Sequence, residues 1–146
     1  PKHLIIAEKE LGIKENKAPG QHNPKIIEYH SKTGRFKTDE IAWCASFMVW
    51  VFKKSGYSCS GLNAAARSFS QSSALSKLHK PYYGCIIVFK YNNNTRWSGH
   101  VGILTEIVNG KYKVLGGNQS DSVKYSYFGK SKVYGFYWRI QNSYHA

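Results

Sequence analysis

Trp43-Cys44-Ala45-Ser46-Phe47-Met48-Val49-Trp50-Val51-Phe52 is apolar on nearly every face, with Ser46 the exception. A helix of that pattern has no solvent stripe and must lie inside the fold. Thr38 and Asp39 stand just ahead of it as N-cap candidates, and Lys53, Lys54, Ser55 and Gly56 supply cations and a stop behind it. The spacing predicts a buried helix over roughly 40–54, with Cys44 near its start. Unpaired backbone N–H groups and the positive end of the helix dipole favour thiolate over thiol there, but only within about one turn. The effect is strong only if the helix begins close to Cys44, later than the Thr38/Asp39 cap implies. The other reading is a cysteine used as a small core hydrophobe. The stretch alone admits both.

The 146 residues suffice for one domain with a real core, and the expected unit is 1–146 without repeat, linker or second module. A hydrophobic content of 42% with 7 Phe, 4 Trp and 11 Tyr excludes a disordered chain. No apolar run approaches the roughly 20 residues that span a bilayer. Pro1 to Ala7 turns charged at Glu8, too short for a signal-peptide core. The expectation is a chain made in the cytoplasm that reaches any outside target through other machinery.

Cys44, Cys59 and Cys85 cannot all pair within one chain and show no CxxC pattern, so they read as reduced thiols with at most one chemically active. The 6 histidines are scattered, without an HxxxH pair or a Cys/His cluster, and no loop is Asp-rich. Neither zinc nor calcium is expected, and no cofactor. The net charge of +13 draws polyanions: nucleic acid, anionic lipid or the anionic polymers of a bacterial envelope. The basic residues are spread along the chain, so charge alone does not choose among these.

Leu4, Ile5, Ala7 and Leu11 give residues 2–12 a helical stripe that Gly12 stops. Ile13 to Asn23 reads as loop, and Asn23-Pro24 opens a short helix through about His30. After the central helix, Ser55 to Leu62 must turn, Asn63 to Phe69 is a short capped helix, and serine-rich polar sequence runs to Leu78. Gly84 to Phe89 is a buried strand, 91–97 a polar loop and His100 to Ile107 a second strand. Asn109-Gly110 is a hairpin turn into Lys111 to Leu115, and Gly116 to Asp121 is a turn. Val123 to Phe128 and Val133 to Ile140 complete an antiparallel meander. Helices first and strands after make an α+β domain.

On this layout three polar residues fall at element ends: Cys44, His100 and Asn118. A nucleophilic cysteine needs a base to hold it as thiolate and later to protonate the leaving group. The base needs an orienting partner, and an amide oxygen can accept the imidazole N–H. The helix N-terminus supplies donors for an oxyanion. Gly99 and Gly102 flank His100 and leave room for a substrate backbone, with Gly102 on the same sheet face as His100. Each residue also has an ordinary reading: a satisfied histidine, and a turn asparagine in Gly-Gly-Asn.

Several ordered stretches carry a resemblance: 39–47 (Asp39 to Phe47), Ala65-Ala66-Arg67, Pro81 to Phe89, Ser98-Gly99-His100-Val101-Gly102 and Val114-Leu115-Gly116-Gly117-Asn118-Gln119. Leu11-Gly12 and Asn23-Pro24 extend it, so it runs from about residue 4 to about 140. The sequence resembles the NlpC/P60 and CHAP superfamily of cell-wall cysteine hydrolases, and more narrowly compact CHAP-like proteins of phage lysins. The resemblance implies a papain-like α+β fold, N-terminal helices packed on an antiparallel sheet, and hydrolysis of amide bonds in peptidoglycan stem peptides. It carries Cys44 over as nucleophile, His100 as base and Asn118 as third member, with Gln119 the next candidate for that role. Cys85 stands where the family usually has Asp after Gly, so some local capping or charge pairing is lost while activity should survive. The acidic calcium ligands of some CHAP domains have no counterpart.

Trp43 and Trp97 are candidates to flank the groove, Trp43 equally a core residue, and Arg67 either pairs with a substrate carboxylate or forms a structural ion pair. The expected protein is a monomeric phage endolysin or delivered antibacterial effector that acts on the cell wall after release by a holin or a secretion machine. An effector would have an immunity protein plugging its groove. Two rivals are a relative with another acceptor, acyltransferase or amide hydrolase, and a catalytically dead basic module binding an envelope glycan or nucleic acid. The dead module would be indifferent to Cys44→Ala, and its binding would fall steeply with salt.

Overall fold

A computed structural model describes residues 1–16, 18, 20–33, 43–90 and 99–140. The Thr38/Asp39 cap, the 91–97 loop and Trp97 lie outside these residues. Among the described residues four α-helices come first: α1 (Lys2–Glu8), α2 (Pro24–Ser31), α3 (Cys44–Ser55) and α4 (Ser68–Gln71). Six strands follow: β1 (Leu75–Lys77), β2 (Ile86–Phe89), β3 (His100–Val108), β4 (Lys111–Gln119), β5 (Ser122–Gly129) and β6 (Val133–Arg139). The class is α+β, as the order of sequence patterns requires.

The local chemistry explains the ends. The Asn23 side chain accepts the Lys25 N–H at 2.8 Å, and Pro24 opens α2. Gly56 ends α3 at φ +78°, a conformation that costs glycine no steric penalty. Ten of the 12 residues of α3 are buried. The helix packs against α1, α2, β3 and β4. Tyr29 of α2 meets Trp43, Phe47 and Trp50 at ring distances of 5.8, 5.0 and 5.1 Å. Burying each such side chain stabilises the fold by about 1.5–3 kcal/mol, so Phe47→Ala would cost about 3–5 kcal/mol.

The strand order is β1-β6-β2-β3-β4-β5, all pairs antiparallel. β2 to β5 form the expected meander, but β6 pairs with β2 instead of β5. All four residues of β2 are buried, so it is poorly suited to being an exposed edge, and β6 covers it. Alternation then sorts the Ile86-Ile87-Val88-Phe89 run between two faces. Ile86 and Val88 join the core under α3, and Ile87 and Phe89 join a second cluster with Cys85, Leu104, Tyr112 and Val114.

Three sequence expectations are corrected. β1 lies in the serine-rich polar stretch to which no element was assigned; it is a three-residue edge, too short for periodicity to show. The short helix starts at Ser68, not Asn63. Asn63 accepts the Ala65 N–H at 2.8 Å and gives its own N–H to Ser68 at 3.0 Å, and these local bonds hold a turn. β4 continues through Gly116-Gly117-Asn118-Gln119, and its turn is Ser120-Asp121, at φ +49° and +62°.

Candidate active site

Cys44 is the first residue of α3, behind an N-cap at Trp43. The first backbone bond of the helix runs from the Phe47 N–H to the Trp43 carbonyl at 2.9 Å, so the N–H groups of residues 44–46 have no acceptor within the helix. The thiol therefore sits where dipole and free donors act most strongly. Ahead of it, the Trp43 indole N–H donates to Glu15 at 3.1 Å.

His100 opens β3 opposite Phe89. Its ring lies 5.7 Å from Phe89 and 5.6 Å from Phe128, which restricts its tilt. Its Nε2–H donates to Oε1 of Gln119 at 2.8 Å. The orientation of that amide follows from its other end. The Gln119 amide nitrogen donates to the carbonyls of Val114 at 3.1 Å and Lys124 at 2.6 Å. With both N–H bonds so engaged, the oxygen must face the imidazole, and Nε2 must carry a proton. Nδ1 is the ring nitrogen that remains for Cys44, whose thiol is hydrogen-bonded to His100.

The partner of His100 is thus Gln119 and not Asn118. A register shift lies between Gly116 and Gln119, with Asn118 at φ +57°, and it is the Gln119 side chain that reaches the ring. The Gly-Gly pair has steric work to do on both sides. A Cβ on Gly117 would lie 2.8 Å from Cβ of Phe47 and from Cζ3 of Trp43, so this glycine lets α3 approach the sheet. A Cβ on Gly116 would lie 2.7 Å from Gln119 Oε1 and 3.4 Å from His100 Nε2.

Burial pushes the Cys44 thiol up. The charge and hydrogen bond of His100 and the N–H groups of Val101 and Ala45 together outweigh it and hold the thiol below its ordinary range. Burial pushes His100 down, but the Cys44 charge, the bond to Cys44 and the Gln119 oxygen raise it above its ordinary range. The two shifts describe one coupling, in which the charged form of each group favours the charged form of the other. Such a pair can attack an acyl carbon and deliver a proton to the leaving group.

The remaining candidates fall elsewhere. Trp43 is fully buried against Tyr29, so it is core and not a wall of the groove. Gly102 shares the face of His100, but Val114 and the Leu115 carbonyl fill the space its side chain would take, so no substrate enters there. Cys85 is buried, its thiol pushed up to about 11 by burial. Cys59 is also free and raised by burial. Arg67 is exposed and borders a small pocket next to His100, together with Gly99 and Phe89. Glu15 was missed by sequence reasoning, because its bond to Trp43 spans 28 positions and no local pattern encodes it.

The CHAP domain family matches residues 36–118, more than half of the chain and including Cys44 and His100. No curated protein sequence matches it. Among solved structures, the chain is similar to a protein described as similar to lipoprotein, NLP/P60 family, from Staphylococcus aureus, with 18% identity and a TM-score of 0.49. That alignment covers 87% of this chain and 45% of the other, so the chain spans less than half the length of that protein. With its nucleophile candidate at the head of a buried helix and its base candidate on the facing strand of an α+β fold, the chain belongs to the CHAP domain family.

Proposed function

We propose that Cys44, His100 and Gln119 hydrolyse amide bonds in the stem peptides of bacterial peptidoglycan. The observation that carries this reading is the opposed shift of Cys44 and His100, a reactive pair that a purely structural cysteine does not need. The Cys44 thiolate attacks the scissile carbonyl carbon. The carbonyl π electrons move onto oxygen, and the N–H of Cys44 at the helix N-terminus faces that oxyanion. As the tetrahedral intermediate collapses, the C–N bond breaks and the Nδ1–H of His100 protonates the departing amine. The resulting thioester is cleaved by water, whose proton returns to His100, and the thiol leaves as thiolate. Gln119 keeps Nε2–H occupied throughout, so only Nδ1 exchanges protons with the reaction.

The charge of +13 supports an envelope substrate, since an anionic wall concentrates a cationic protein at its surface. We place the protein in a lysin or in a delivered effector on that basis. Digestion of purified peptidoglycan by wild type and C44A, with released fragments weighed by mass spectrometry, tests the reading. Product from wild type alone supports it and names the bond. No product from either, on Gram-negative and Gram-positive walls, removes the hydrolase reading and turns attention to polyanion binding.

A further inference from the structure

Cys44 stands at the head of α3 and Gln119 at the tip of the β4–β5 hairpin, and the site requires these two elements to keep a fixed separation. Residues 12–15 run alongside that tip. The Gly12 N–H donates to the Val123 carbonyl at 3.0 Å and the Val123 N–H to the Ile13 carbonyl at 2.7 Å. The Glu15 N–H donates to the Asp121 carbonyl at 2.9 Å, and Lys14 pairs with Ser122. Ser122 in turn lies opposite Gln119, and its hydroxyl donates to the Gln119 carbonyl at 3.1 Å. The backbone of Glu15 is thereby anchored to the turn that follows Gln119.

The side chain of Glu15 reaches the other half of the site. Its Oε2 accepts the Trp43 indole N–H at 3.1 Å, and Trp43 is the N-cap residue of α3, directly before Cys44. No side-chain hydrogen bond caps that helix end, so the indole is the handle by which residue 43 is held. The ring is enclosed. It is fully buried, stacks on Tyr29 at 5.8 Å, and lies so close to Gly117 that a Cβ there would be 2.8 Å from Cζ3. An indole has one polar atom, a donor only, and Glu15 satisfies it. Without that oxygen a buried N–H would lose its acceptor, and a shift of the ring to relieve the cost would carry Cys44 with it. The charge and bonds that hold the thiol down come from His100, Val101 and Ala45, so Glu15 acts through Trp43 and not through its own field.

We propose that Glu15 is a positioning residue that ties the hairpin bearing Gln119 to the helix head bearing Cys44, and so sets how the thiol meets His100. The effect on turnover rests on the hydrolase reading above; the effect on the thiol rests on the geometry alone. One residue bridges the two halves because its backbone pairs with one and its carboxylate with the other. The chemical step remains with Cys44 and His100.

The test reads the full chain twice, below the melting temperature of every variant. The first reading is the rate of alkylation by iodoacetamide across pH, followed by mass spectrometry on the peptide that contains Cys44. The second is steady-state cleavage of purified peptidoglycan. E15A should raise the alkylation midpoint by about 0.5–1 pH unit and lower kcat roughly 3- to 10-fold, with KM within about twofold. E15Q keeps an oxygen acceptor and should restore both readings to within about twofold of wild type. W43F removes the donor and should reproduce E15A, and E15A/W43F should lose no more than either single variant. W43F also supplies the reading should E15A fail to fold. A midpoint unmoved in E15A and W43F, whatever their melting temperatures, makes Glu15 purely structural and overturns the proposal. A midpoint that falls in E15Q does the same, since it marks a carboxylate acting by charge, and so do additive losses in the double variant. A shifted midpoint in E15A without product from the wild type sinks the hydrolase reading and keeps the positioning role. Product from the wild type with an unmoved midpoint does the reverse.

Discussion

His3 and His100 are imidazoles shielded from water at different places in the fold, both bonded through Nε2 to an oxygen, and they shift in opposite directions. His3 is almost fully buried; its Nε2–H donates to the Gly84 carbonyl at 2.7 Å, and its ring lies 4.6 Å from Trp138. Burial lowers its pKa, the Gly84 bond raises it, and the N-terminal ammonium and Arg139 lower it again, for a net fall. At His100 burial also acts downward, yet the net shift is upward. Shielding and one hydrogen bond are common to both. The difference is the company: two cations beside His3, and a thiol that can ionise beside His100. The Cys44 thiol, whose anion favours a protonated ring, is what sets His100 apart from His3.

Removing that anion should give the largest effect. C44A is expected to lower turnover by about 10,000-fold or more, as loss of a nucleophile does. The same variant sharpens the comparison, because His100 without its thiolate should titrate below its value in wild type, moving toward the behaviour of His3. NMR titration of the imidazole checks this, and an unmoved His100 in C44A would mean that Gln119 and not Cys44 sets its proton affinity. Next in size is Q119L, which leaves Nε2–H without an acceptor and should cost roughly 10- to 100-fold in kcat.

The pH profile adds a sign. At low pH the pair is protonated and the thiolate is absent; at high pH His100 loses the proton owed to the leaving group. Activity should rise through an apparent pKa below the usual thiol range and fall through one above the usual imidazole range. Because Gln119 raises His100, the alkaline limb of Q119L should shift to lower pH. An unchanged limb would remove Gln119 from the proton balance.

The fold class was legible because the signals behind it are local. A ten-residue apolar run, Asn23-Pro24 and Asn109-Gly110 each specify an element through chemistry within a few positions. The pairing of Cys44 with His100 was legible for a related reason: both stand at element ends. Their partner was not. Asn118 and Gln119 are adjacent, and which one reaches the ring depends on a bulge that only strand pairing reveals. Trp43 looked suited to a groove wall because its neighbourhood in sequence is the nucleophile, whereas its neighbourhood in space is Tyr29 and Glu15. The placement of β6 beside β2 likewise depends on which edge must be covered.

The two glycines ahead of Gln119 separate geometry from stability. G117A places a methyl group 2.8 Å from Phe47 and Trp43, inside the packed core, and should destabilise by about 1–3 kcal/mol as overpacking does. G116A instead crowds the Gln119 oxygen at 2.7 Å, so its cost should appear mainly in kcat and in the alkaline limb. Urea unfolding and kinetics on the same two proteins distinguish these outcomes. Equal loss of stability in both would show that the Gln119 carboxamide cannot move aside, and that site and core are one rigid body.

The smallest effect belongs to His3 and tests the other half of the comparison. Its folded pKa lies below the ordinary imidazole value, so the folded state binds this proton less readily than the unfolded chain. The stability it contributes is fully present above about pH 6.5, the unfolded value, and is lost as pH falls through the lower folded value. H3Q cannot titrate. Between pH 7 and pH 5 the melting temperature of wild type should therefore fall further than that of H3Q, by about 2–4 °C for each kcal/mol of linkage. The acid limb of activity, set by Cys44 with His100, should not follow this change. If both proteins lose stability in parallel, another group carries the acid sensitivity. If the acid limb of activity moves with H3Q, the two histidines are coupled through the fold and are not independent examples of one rule.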